Sequence, residues 1–168
     1  MWVLALLLCF LPFLSVSCDT PGGFGRMEAG GTTTWSGLDL AVGSTPSVDE
    51  ANLRPAAEQQ SDDLGWQPVV AIGILTLAGA VVLTVFKRWQ AAAIAGFGAA
   101  GLLVIGELTA RSKLVDMVAL QVTEPFHQGK TAGDHVALGT GFWLVIILTM
   151  TGSLLALFGK KSQRTAVD

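Results

Sequence analysis

Cysteine is scarce in this chain, and the two it has lie along one apolar segment, Cys9 and Cys18. If that segment is helical, nine residues at 1.5 Å each set their Cα atoms ~13 Å apart, beyond the ~7 Å reach of a disulfide. No Cys-x-x-Cys occurs, which argues against redox or metal chemistry through thiols. Charge is equally scarce: 14% of residues are charged against 51% hydrophobic, too apolar for an ordinary soluble domain. A nucleophile elbow, phosphate loop, dinucleotide fingerprint and paired-carboxylate motif are all missing, which argues against an enzyme and leaves no expected catalytic residue or cofactor. The segment 19–66 holds eight acids and only Arg26 and Arg54, so it offers no basic footprint for nucleic acid.

What the chain does have is long apolar runs. Val69 to Phe86 and Ala91 to Leu108 are separated only by Lys87, Arg88, Trp89 and Gln90. Each approaches the ~20 residues that a helix needs to cross a hydrocarbon core roughly 30 Å thick. The pair reads as a transmembrane hairpin with a basic turn. Lys and Arg concentrate on cytoplasmic loops, so Lys87 and Arg88 in the turn and Lys160 and Lys161 in the tail set the topology. Both termini are then expected in the cytoplasm of an inner (plasma) membrane protein, with the main loop outside. The expected fold class is an all-α integral membrane protein with four transmembrane helices. Its parts are helix 1 over 1–18, an extracytoplasmic loop over 19–66 and helices at 67–87 and 90–110. A second outer segment over 111–136, a helix at 137–159 and a tail over 160–168 follow.

The first segment, MWVLALLLCFLPFLSVS, admits three readings: a short uncleaved first span, a secretory signal, or a lipoprotein signal with Cys18 as the modified residue. No Lys or Arg precedes the apolar core and no small-x-small site follows it, which favours the uncleaved span. Pro12 lacks an amide donor and should kink or end the helix. Cys18 then stands as a candidate lipidation site or partner thiol. In the outer loop, Thr32–Trp35 and Leu38–Val42 flank a Ser36–Gly37 turn signal, so a short β-hairpin is expected there, with Trp35, Gly37 and Leu38 as contact residues. Asp49, Glu50, Glu58, Asp62 and Asp63 lack the spacing of a calcium loop and read as a solvated acidic face.

Small residues mark the expected helix contacts: Ala92, Gly96 and Ala100 at i, i+4 spacing on the third span, facing Gly73 and Gly79 on the second. Trp2, Trp66 and Trp89 read as interfacial anchors. Glu107 is the one carboxylate near a membrane core. Arg111 follows at i+4, so an interfacial ion pair is expected ahead of a proton relay, for which no second buried acid, His or Lys supplies a path. Helix three either continues beyond Arg111 or bends onto the surface. Glu124, His127, Asp134 and His135 have donor types suited to a metal, but their spacing prescribes no geometry, and no metal site is expected. His135 is placed near the start of the last helix, after an Asp134 cap.

The strings LPFLSVSC (Leu11 to Cys18) and SGLDLAVG (Ser36 to Gly43) resemble segments of small bacterial multi-pass membrane proteins, a resemblance covering about a tenth of the chain and implying no activity. Four spans with a long first and a shorter second outer loop also resemble the claudin layout. The cysteine pair of the claudin outer loop is missing here, and nothing is carried over from it. The function expected from these readings is that of a non-catalytic accessory or stabilising subunit, with the lipid bilayer and other membrane subunits as partners. The alternatives are a small transporter, channel or proton-linked sensor using Glu107, and a surface protein lipidated at Cys18.

Overall fold

The computed structural model describes residues 1–17, 31–48, 64–121 and 131–164. The chain is mostly helical, with a small antiparallel sheet at one end of a helical bundle. Among the described residues three helices are long and apolar enough to cross a membrane: α3 (Pro68–Val85), α4 (Trp89–Gln121) and α5 (Thr140–Arg164). Pro68 occupies the first turn of α3, where a missing amide hydrogen costs nothing. The basic turn after α3 closes tightly because Lys87 adopts a left-handed conformation at φ 56°. Its amide donates to Thr84 O at 2.9 Å and that of Arg88 to Leu83 O at 2.9 Å, satisfying carbonyls that a helix end leaves open.

The first segment is not one continuous helix. Helix α1 covers only Trp2–Leu8, and strand β1 covers Pro12–Ser17. Pro12 supplies the reason, since its ring removes the amide donor that a further helical turn would use, while the first position of a strand tolerates it. A bulge between Pro12 and Leu14 lets Phe13 and Leu14 both turn inward, each at most 1% exposed. The hydrophobic run that reads as a span thus divides between a helix packed on α5 and α3 and a buried strand.

The expected hairpin is also corrected. Thr32–Ser36 is strand β2, but Gly37–Val42 is a short helix, α2, rather than a second strand. Ser36 and Asp39 form a reciprocal capping box, and Gly43 ends the helix at φ 72°. These local bonds outweigh the β-favouring side chains of Leu38–Val42. The partners of β2 come from elsewhere: β1 on one side and the two-residue strand β3 (Ser47–Val48) on the other. Strand β4 (Val136–Leu138) joins the far edge of β1, giving the order β3-β2-β1-β4. The last helix begins at Thr140, after this strand, and His135 lies in the preceding 3-10 turn Ala132–His135. That turn is capped by Thr131, with Asp134 returning the bond to the Thr131 amide at 2.7 Å. Helix α4 continues as one rod to Gln121, passing β1, β4 and the 3-10 turn and burying Ala110, Leu114 and Val118.

Candidate functional site

Glu107 lies in the middle of α4. Its neighbour Gly106 lies against Val70 in the first turn of α3, so Glu107 sits level with the start of that helix. Glu107 is 1% exposed, and neither Oε1 nor Oε2 has a hydrogen-bond partner among the described residues. Arg111 Nε is likewise buried without one. The expected Glu107–Arg111 bridge is absent, although the two residues share one helix at i, i+4 spacing. That spacing permits contact without enforcing it, because both long side chains can leave the shared face. Burying a carboxyl without a partner is costly.

The sheet has a buried inner face. Thr33 and Trp35 of β2 are buried there with Phe13, Leu14 and Val16 of β1. Trp35 Nε1 has no hydrogen-bond partner among the described residues. Gly37 fits under the Phe13 ring, where a Cβ would come within 2.7 Å of Phe13 Cζ. Leu38 is exposed, yet its amide donates to Cys9 O at 3.1 Å, tying α2 to the end of α1. Asp39 holds this corner: Oδ2 accepts from the Ser36 amide at 2.9 Å and from Ser36 Oγ at 2.7 Å, and Oδ1 accepts from Ser44 Oγ at 2.6 Å. Partial burial pushes its carboxyl upward, but the hydrogen bonds from Ser44 and Ser36 outweigh it and hold Asp39 below the usual carboxylate value. His135 is buried, its Nδ1 2.9 Å from Ser17 O, and so ties the 3-10 turn to the end of β1.

The small-residue stripe divides between inner and outer faces. Ala92, Gly96 and Ala100 are buried, as is Gly73, where a Cβ would meet Leu103 at 3.0 Å. Gly96 turns to α5 and α1 rather than to α3: a Cβ there would collide with Ser153 Oγ and approach Trp2 Nε1 to 2.9 Å. Trp2 is therefore a packed core residue and not an interfacial anchor, whereas Trp66 and Trp89 are exposed. Gly79, Gly98 and Gly101 have open space where a Cβ would project. Lys87 and Arg88 lie at the far end of the bundle, near Met1 and Ala156, and Lys160 and Lys161 lie on α5. Cys18, Glu124 and His127 lie outside the described residues. Among the described residues, no three His, Cys, Asp or Glu side chains gather as a metal site.

One well-connected polar residue of the junction is one that sequence reasoning missed. Gln67, 3% exposed, caps α3; its amide donates to Leu40 O at 3.0 Å and its Nε2 to Leu64 O at 2.8 Å. Lys113 Nζ of α4 donates to Gln67 Oε1 at 3.4 Å. A polar residue directly before Pro68 at the edge of an apolar run is the one signal that pointed to it. Comparison with protein-family models, with curated proteins and with solved structures finds no match.

Proposed function

We propose that this chain is a non-catalytic multi-pass membrane protein that acts as an accessory or stabilising subunit of a larger membrane complex. The carrying observation is the outward stripe Ile94, Gly98, Gly101, Ile105 on α4, exposed along its length, with open space above both glycines. In lipid, helices associate where small residues let backbones approach, because apolar surface alone gains nothing over lipid tails. The glycines that serve the internal bundle are different ones, Gly73, Gly96 and Gly106, so this stripe is spare. In this reading the basic turn faces the cytoplasm and the sheet faces outward, with the plasma membrane as the location.

Native mass spectrometry of the chain extracted from its own membrane in mild detergent tests the proposal. A stoichiometric partner is expected with the wild type and is lost in Gly98→Leu/Gly101→Leu at an unchanged thermal midpoint. A lone monomer in both would overturn it.

A second reading is carried by the unpaired, buried Glu107: a small transporter, channel or proton-linked sensor in which its carboxyl takes part. Proteoliposomes with a pH gradient decide it. Proton-dependent flux that Glu107→Gln abolishes supports the reading, and leak-level flux in the wild type removes it.

A further inference from the structure

The turn end of the bundle contains a cavity of about 890 Å³ that none of the roles above uses. One side of it is cationic and polar: Lys87, Arg88 and Gln90 line it, and no acid does. Neither cation has a carboxylate partner among the described residues. The other side is apolar, with Val81, Leu155 and Ala156. Trp89, Gln90 and Ala91 are also the first residues of α4, whose opening amides have no acceptor inside the helix. The first bond of that turn, from the Ala92 amide to Arg88 O at 2.9 Å, leaves those three amides free for an anion. At the end of α3 the Lys87 and Arg88 amides already take up the Thr84 and Leu83 carbonyls. Trp2 lines the same cavity with part of its ring, while its indole Nε1 is turned away into the helix interface against Gly96 and Gly152.

We infer that this cavity binds a phosphate-bearing amphiphile, an anionic phospholipid whose head group rests on Lys87, Arg88 and the start of α4. Its acyl chain lies along Val81 and Leu155. A free inorganic anion would use only the cationic side and leave the apolar wall unfilled. A zwitterionic lipid would bring its own cation against Lys87 and Arg88. Basic pockets between spanning helices at a membrane surface bind such head groups through the same charge and shape complementarity. The inference requires the turn end to lie at a membrane surface. It is independent of the subunit reading.

The test uses the full purified chain in detergent micelles, with phosphatidylglycerol, phosphatidylcholine or inorganic phosphate added at matched ionic strength. Phosphatidylglycerol is expected to raise the thermal midpoint and to remain as a single bound lipid in native mass spectrometry, with binding that weakens as salt rises. Lys87→Gln/Arg88→Gln should weaken it at least ~10-fold, in line with losing two charge-assisted contacts. The charge-conserving Lys87→Arg/Arg88→Lys should keep it. Equal stabilisation by phosphatidylcholine, unchanged phosphatidylglycerol binding in the double Gln variant, or the full shift from inorganic phosphate alone would each overturn the inference. If the Gln variant does not fold, the salt dependence in the wild type decides: insensitivity to salt overturns it.

Discussion

Gly106 of α4 and Val70 of α3 approach so closely that a Cβ on Gly106 would lie 2.6 Å from Val70 Cγ2 and 3.0 Å from the Val70 amide nitrogen. Side chain and backbone both block the space, so the crossing of these helices depends on glycine at this point. Substituting Gly106→Val should cost about 1–3 kcal/mol, the usual penalty for forcing extra volume into a packed site. Gly101→Ala, where nothing lies within 4 Å, should be neutral or stabilising because alanine favours helix. Thermal unfolding of both variants in one detergent measures the contrast, and equal midpoints would refute the crossing.

Asp39 should make the sheet end acid-sensitive. Its folded-state value is depressed by the Ser44 and Ser36 hydrogen bonds, so its contribution is complete above the unfolded carboxylate value near ~3.9 and is lost as pH falls through the folded value. The stability difference between wild type and Asp39→Asn should therefore be constant at neutral pH and shrink as pH drops below about 4. Chemical denaturation followed by tryptophan fluorescence at a series of pH values reads it. At neutral pH, Ser36→Ala should cost roughly 1 kcal/mol as a lost cap.

Gln67→Ala should destabilise by about 1–3 kcal/mol, since it leaves the Leu64 carbonyl without its donor in a buried corner, while the exposed Lys113 ammonium turns to water. Gln67→Glu keeps the contact to Lys113 and loses the donor to Leu64 O, so it should fall between the two. Hydrogen exchange at the α3 amides of residues 68–71 is the local readout: faster exchange in Gln67→Ala without change in α5 is expected.

Gly139 should tolerate no side chain. Its amide donates to Phe13 O at 2.5 Å, and a Cβ would collide with the Pro12 carbonyl oxygen. Gly139→Ala should therefore separate β4 from β1 at the mouth of α5 and lower the thermal midpoint by several degrees, as ~1–3 kcal/mol does in a domain this size. Gly133→Ala is the control, with only Thr131 Oγ1 at 3.7 Å nearby.

Helix length and apolarity made α3, α4 and α5 legible, together with the Lys87–Arg88 turn, because hydropathy over such a length has few alternative explanations. Of the small residues expected to pack, Ala92, Gly96, Ala100 and Gly73 are buried and Gly79 faces open space; which neighbour each meets was not legible, since helix rotation is set by partners. The first segment misled because a strand with a buried inner face and a membrane helix can both read as apolar runs, and Pro12 was the one residue separating them. The 38–42 segment misled for the opposite reason, with β-favouring side chains overridden by the Ser36–Asp39 cap. The partners of β1 and β2 could not be read locally at all, because the register that pairs Ser15 with Ala137 joins residues far apart in sequence. Gln67 stayed hidden because a single polar residue at a helix start looks like any cap until its neighbours are placed.

The position of β1 has a consequence for assembly during synthesis. It is an inner strand of the sheet, yet one flank is supplied by Thr32–Ser36 and the other by Val136–Leu138, the latter just before α5. While the chain emerges from the N-terminus, one row of β1 amides and carbonyls stays unpaired until almost everything else has been made. During that interval it is an open edge able to recruit a foreign strand. Synthesis of β4 is thus the step that closes the sheet, so a truncation before Val136 would leave one edge of β1 open to aggregation.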